Sequence, residues 1–260
     1  MIYQLRLFFI AVQFFTRLPI PRWVGFEPAW LNHASRYFAL VGVVVGAIGA
    51  AVYAIAALWL PAPVAALLST SATIYLTGAF HEDGFADACD GLGGGMTRER
   101  ALEIMKDSRV GAYGAIGIVC MLGAKLTALA SMPPAIAIGA LLLAHPLSRL
   151  AATALIWQMA YARAEGKAKP LAVRMTNAEF GIAALTVLLP AAVLLLYGAL
   201  SLATVAAAVL AAVVAACWLA RKFARRLGGY TGDCLGAVQQ LAEVAVYIAI
   251  LATLGHGALA

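Results

Sequence analysis

The chain has 260 residues, of which 64% are hydrophobic and only 12% charged, and its mean hydropathy is +0.92. A soluble domain is nearer a quarter charged, so this composition excludes an ordinary water-soluble enzyme and describes one integral membrane domain over 1–260. Cys89, Cys120, Cys217 and Cys234 are scattered without CxxC spacing, which suggests neither a zinc site nor a disulfide framework; the net charge of +6 reads as topology in such a chain and not as nucleic-acid binding.

The start, MIYQLRLFFIAVQFFTRLPIP, is apolar and aromatic but has no small-residue cleavage site. It reads as a retained segment, with residues 1–36 interfacial or re-entrant. A spanning helix needs ~20 mostly apolar residues. Windows of that kind occur at 38–60, 63–80, 110–131, 134–160, 180–198, 200–220 and 236–256. The expectation is an all-α polytopic transmembrane helix bundle of about seven spans, six to eight depending on the 7–18 segment. No window alternates with period two for long, which excludes a barrel.

The connections at 60–62, 131–134 and 198–200 and the GHGALA tail carry no Lys or Arg. The opposite side would hold Arg6, Arg17, Arg22 and Arg36, and then the 81–109 loop with Arg98, Arg100, Lys106 and Arg109. To these it adds Arg163, Lys167, Lys169 and Arg174, and in the 221–235 loop Arg221, Lys222, Arg225 and Arg226. Sixteen of the eighteen basic residues thus share one side, which the positive-inside rule makes cytoplasmic. The two others, Lys125 and Arg149, lie inside apolar spans, where charge is costly. Lys125 is expected to snorkel outward. Arg149, one turn after His145, reads equally as a contact to substrate phosphate or as the partner of a carboxylate such as Glu243.

Four of the twelve acidic residues, Glu82, Asp83, Asp87 and Asp90, fall within nine positions of FHEDGFADACDGLGGG (80–95). On a helix continuing from the 63–80 span, Asp83, Asp87 and Asp90 share an arc of about 60°, with Glu82 about 100° away. Carboxylates stacked in this way repel one another unless neutralised. Hard cations do this, and Mg²⁺ in particular combines a few carboxylates with water and substrate phosphate. The intervening Gly84, Ala86, Ala88 and Gly91, with Gly93, Gly94 and Gly95, are expected to leave room for a bulky ligand. Asp107 would close the site from a second helix. A second polar island, RRLGGYTGDCLGAVQQLAEV (225–244), places Thr231 and Asp233 among glycines before the last span, either as plain N-capping or as part of a site.

The segments HEDGFADACDG (81–91), IMKDSRVGAYG (104–114) and RRLGGYTGDCLGA (225–237), with FFTRLPIP (14–21) and SRYFALVGVVVG (35–46), resemble the cobalamin synthase family, the adenosylcobinamide-GDP ribazoletransferases. The resemblance runs in order over nearly the whole chain. It implies a multi-pass enzyme of the bacterial inner membrane, its active site facing the cytoplasm, that requires Mg²⁺, with Mn²⁺ as an alternative. The reaction it implies joins adenosylcobinamide-GDP to α-ribazole or its 5′-phosphate, giving adenosylcobalamin or its 5′-phosphate and releasing GMP. Under this reading Glu82, Asp83, Asp87, Asp90 and Asp233 are catalytic, and Asp83, Asp87, Asp90 and Asp107 hold metal. His81, Gly93, Gly94, Arg98, Lys106, Arg109, Arg149, Gly229 and Thr231 form the substrate-binding set, and Glu82, His81 or Asp233 takes the hydroxyl proton.

Phe85 stands where the family pattern suggests leucine, and Gln240 where an acid is half expected. The partners are the two small-molecule substrates and the lipid bilayer, without nucleic acid; a homo-oligomer, or association with other cobalamin-assembly enzymes, is compatible with this. The acid spacing is also reminiscent of CDP-alcohol phosphotransferases, but Ala86 is followed by Asp87 where those enzymes carry Arg. A transport site is the third reading, and it fits less well because such sites lie near the membrane midplane.

Overall fold

The structure, a computed structural model, describes residues 2–163 and 174–255; Lys167, Lys169 and most of the GHGALA tail lie outside them. The helices are α1 (Ile2–Phe15), α2 (Pro28–Ala34), α3 (Phe38–Ala56), α4 (Ala62–Thr77), α5 (Phe80–Gly94) and α6 (Arg98–Ile104). They continue with α7 (Ala112–Ala130), α8 (Pro134–Gln158), α9 (Asn177–Leu196), α10 (Leu202–Leu227) and α11 (Gly232–Thr253). The expected all-α bundle is therefore present. Among the described residues the sole extended pairing is a single parallel bridge between Tyr161 and Tyr230.

Six helices are long and apolar enough to span: α3 with its lead-in from Trp30, and α7 to α11. A seventh crossing is obtained only by taking α4 and α5 together, and these meet at 89°. The acidic helix therefore does not continue the preceding span, as its sequence suggested. Gly78 and Ala79 are both left-handed, at φ 66° and 58°, and they turn the chain. For Ala79 that conformation is uncommon and costs roughly 1–2 kcal/mol, so neighbouring contacts must hold it. The N-terminal motif supplies them: Arg17 N–H donates to the Leu76 carbonyl at 2.8 Å, and its guanidinium lies 5.1 Å from the Tyr75 ring centroid. We read α5 as leaving the span and running off it.

Helix α8 is central and packs on α3, α9, α10 and α11. Its contact with α3 is close because Gly42 and Gly46 face it. A Cβ at Gly42 would lie 2.6 Å from the His145 carbonyl oxygen, and one at Gly46 2.7 Å from that of Leu141. Small residues of this kind are how apolar helices approach where no hydrophobic effect drives them together. The N-terminal region is pinned to α9 by Glu179, which accepts from Arg36 at 2.5 Å, lies 2.7 Å from His33 Nδ1, and completes a capping box with Thr176.

Lys125 does not snorkel. Its ammonium lies 2.9 Å from Glu243 Oε1, with both side chains 4% exposed. Gln239 Nε2 donates to Glu243 Oε2 at 2.7 Å, and the Tyr247 hydroxyl to Oε1 at 3.1 Å. The pairing wins because Glu243, about three turns inside α11, is buried, and an unpaired ion at that depth is costlier than a buried pair.

Asp90 is buried where α5 meets α7: Gly111 N–H donates to Oδ2 at 2.7 Å and Gly114 N–H to Oδ1 at 2.8 Å. A Cβ at Gly111 would lie 2.5 Å from Asp90 Oδ1, so the glycines of the VGAYG stretch admit the carboxylate.

Two predictions follow from this packing. Lys125→Met strands the Glu243 carboxylate and is expected to destabilise by about 3–5 kcal/mol, whereas Lys125→Met with Glu243→Gln recovers most of the loss; denaturation midpoints in mixed micelles measure both. Asp90→Ala leaves the start of α7 uncapped and is expected to cost about 1–2 kcal/mol in the same assay.

Candidate active site

Helix α5 lies against the first turns of α11, and glycines set the spacing. A Cβ at Gly84 would lie 3.1 Å from Asp233 Cα, and one at Gly236 2.9 Å from the His81 carbonyl oxygen. This brings Asp233 beside the acidic face. Burial, followed by the charges of Asp233, Asp83 and Asp90, pushes the Asp87 carboxyl up to about 7, against the opposing effect of Arg163. Arg163 Nη2 donates to Asp233 Oδ2 at 2.9 Å. The Thr231 side chain accepts from the Cys234 N–H and donates to Asp233 Oδ2 at 3.2 Å. Thr231 is therefore the N-cap of α11, the plainer of its two expected roles, and it also orients Asp233. Among the described residues, no hydrogen bond engages the carboxylates of Asp83 or Asp87; Asp83 is exposed and Asp87 half-buried.

The remaining expected residues divide between neighbouring packing and this site. Asp90 has both oxygens on the start of α7. Asp107 is bound by Arg109 at 2.6 Å on an exposed loop, and these hydrogen bonds hold its carboxyl down at about 2. Lys106 is exposed on the same loop. Arg98 is a structural clamp: Nε donates to the Leu227 carbonyl at 2.7 Å and Nη2 to that of Ala162 at 2.9 Å. Arg226 similarly donates to the Gly95 carbonyl.

The glycines expected to admit a ligand are largely occupied by protein. A Cβ at Gly93 would lie 2.5 Å from the Tyr113 ring, and one at Gly94 3.5 Å from Ile104 Cδ1. Gly91 faces Met105, Gly95 faces Ala101, and Gly229 faces the Ala160 carbonyl across the Tyr161–Tyr230 bridge. Small residues here serve helix crossings, which the spacing alone does not distinguish from a ligand cradle.

Glu82 points inward, where Gln240 Nε2 donates to Oε1 at 2.9 Å and Oε2 is buried with no hydrogen-bond partner among the described residues. Gln240, where an acid was half expected, thus serves as a neutral donor. His81 is buried and stacked on Phe15, with ring centroids 5.4 Å apart and planes 13° apart. Arg149 is 3% exposed and donates to the His145 carbonyl at 3.1 Å, in the field of Glu243 and Glu82. Arg149 and Glu243 thus share one buried group, but the direct ion pair to Glu243 is made by Lys125. Arg163 is the residue that sequence reasoning passed over, because a loop arginine is indistinguishable there from the other topological cations.

Among the described residues no three His, Cys, Asp or Glu side chains form a group that could hold a metal ion, so the four carboxylates expected to do so do not gather into one cage. What α5 does offer is one pair, Asp83 and Asp87, a turn apart with oxygens not taken up by protein. Such a pair suits Mg²⁺, which takes one or two carboxylates and completes its shell with water and phosphate oxygens.

Against known proteins, residues 7–251 match the family model described as Cobalamin-5-phosphate synthase. An adenosylcobinamide-GDP ribazoletransferase of Leptothrix cholodnii is 48% identical over 257 residues, covering 97% of each chain. Proteins of the same name from Ralstonia nicotianae and Vibrio cholerae are 49% identical over 95% of each chain and 43% identical over 98% of this chain and 96% of theirs. No solved structure matches. The chain belongs to the cobalamin-5-phosphate synthase family, as its motifs implied.

Proposed function

We propose that this membrane protein transfers an activated corrinoid phosphate from adenosylcobinamide-GDP to a ribose hydroxyl that is free in both α-ribazole and its 5′-phosphate, and releases GMP. The observation that carries the reading is the meeting of Asp83, Asp87 and Asp233, with Arg163 beside them, in a chain of this family. The positive-inside rule supports a cytoplasmic reading for the side that collects the basic residues, and with it a site that faces cytosolic nucleotides from the inner membrane. The CDP-alcohol and transport readings gain no support from the relatives.

Asp83 and Asp87 are the residues that would hold Mg²⁺ against the donor's pyrophosphate. When bound, the ion supplies charge neutralisation of the phosphates and of the departing GMP. Arg163 adds a guanidinium suited to phosphate oxygens and meanwhile keeps Asp233 in place. The acceptor oxygen forms its bond to the phosphorus that carries the corrinoid arm, and the bridging P–O bond breaks with its electrons on GMP. The hydroxyl proton passes to a carboxylate of the same region, Glu82 or Asp233. Asp90 contributes by fixing α5 to α7 and so the pitch of the acidic face.

Purified protein in liposomes, given both substrates, is expected to release GMP only with acceptor and Mg²⁺ present. Asp83→Asn and Asp87→Asn are each expected to lower kcat by about a hundredfold or more while the protein remains folded. Acceptor-dependent release that survives both substitutions would remove the metal from α5, and no release by folded native protein would refute the transfer itself.

A further inference from the structure

Next to the acidic face, a cleft opens between α1, α3, α5, α8 and α11 and runs into the bundle. Its walls are aromatic: Phe15, Phe38, Phe80 and His81 on one side and Tyr161 with Tyr230 near the mouth. Phe15 is the hub, with ring centroids 4.5 Å from Phe38, 5.6 Å from Phe80 and 5.4 Å from His81. The opposite wall, on α8 and α11, combines the small Ala152, Gly232 and Gly236 with Thr153, Ile156 and Leu235. Gly232 adjoins Asp233, so the mouth and the acidic site share the first turn of α11.

The inner end is polar and incompletely paired. Arg149 and Gln239 both line the cleft, 3% and 1% exposed. Among the described residues Arg149 Nε has no acceptor and Gln239 Oε1 no donor. Gln239 Nε2 is already committed to Glu243 and Ser148, which fixes the orientation of its amide. Buried polar groups left unpaired are costly and point to a ligand that pairs them. That ligand need not be an anion: Lys125 and Arg149 lie among Glu243 and Glu82, two cations with two carboxylates. A lipid chain would fit the walls but leave Arg149 Nε–H without an acceptor.

We infer that this cleft holds the base of the acceptor: a neutral, flat, fused-ring nitrogen heterocycle, the benzimidazole of ribazole. The inference rests on the transfer reading above for the identity of the acceptor. The aromatic walls flank the ring, Arg149 Nε–H donates to its unsubstituted ring nitrogen, and the ribose emerges past Gly232 with its free hydroxyls on the Asp233 side. Arg149 is on this account a specificity residue for the base and not a phosphate contact. Stacking and hydrogen bonding to a neutral ring account for selection of the acceptor without drawing on the charges that handle the pyrophosphate.

The test is run on the full chain in detergent. Free 5,6-dimethylbenzimidazole is titrated by its fluorescence against the native protein, and its inhibition is measured against each substrate. It is expected to bind, to compete with the acceptor and not to compete with adenosylcobinamide-GDP. Ala152→Leu, which narrows the cleft, is expected to raise the acceptor KM about tenfold and leave the donor KM unchanged. Arg149→Lys keeps the charge but loses Nε–H; it is expected to raise the KM of a benzimidazole riboside and not that of an indole riboside, which lacks the ring nitrogen. Failure of the free base to compete with the acceptor overturns the assignment without recourse to any variant, as does a rise in donor KM alone in Ala152→Leu. A native protein that binds the base but releases no GMP would keep the cleft and refute the transfer.

Discussion

A carboxylate is costly in hydrocarbon, and this chain has to bring four of them directly after an apolar span. It does so by breaking the helix at Gly78 and Ala79, both left-handed, so that α5 departs from α4 at 89°. The break is held from outside by Arg17, through the Leu76 carbonyl and the Tyr75 ring. Most of the site geometry depends on that turn. Had α5 continued straight, Asp83 and Asp87 would not meet Asp233, and Asp90 would not reach the start of α7. The N-terminal motif therefore matters to the acidic face without contributing a side chain to that face.

The bundle interior manages charge by pairing. Glu243 gathers Lys125 from α7, Gln239 and Tyr247 from its own helix, and faces His145 from α8 at 3.5 Å. Glu82 reaches in from α5 to Gln240. These contacts tie four helices together directly beneath the acidic face. Losing any single member strands its partner in a medium that cannot solvate it, so the group is rigid by necessity. A rigid support of this kind suits a site whose carboxylates must be positioned for phosphate oxygens.

Much of this was legible in the sequence. Hydropathy marked the spans, and the four-residue spacing of Asp83 and Asp87 put both on one helical face, because each follows from local periodicity. Thr231 before an apolar helix announced its cap. What was not legible depended on partners distant in the chain. Lys125 resembles a snorkelling lysine until Glu243 is seen beside it. Asp90 resembles a third metal ligand until two glycine N–H groups are found on its oxygens. The glycines between the acids were misread for the same reason: a position without a side chain is equally consistent with a ligand or with a helix crossing, and Gly84 and Gly91 serve crossings. Arg163 and Arg98 show the same ambiguity among loop arginines, one facing Asp233 and the other clamping backbone carbonyls.

In the function proposed, Asp83 and Asp87 would present a metal ion to a diphosphate on the exposed side of α5. The most direct measurement of this uses Mn²⁺ as the paramagnetic probe on purified protein, with electron–nuclear double resonance recorded before and after addition of GDP. Mn²⁺ is expected to bind and to show a ³¹P hyperfine coupling only once the diphosphate is present, and Asp87→Asn is expected to abolish the coupling. Mn²⁺ that binds without ever sensing phosphorus, or a coupling that persists in Asp87→Asn and Asp83→Asn alike, would contradict it.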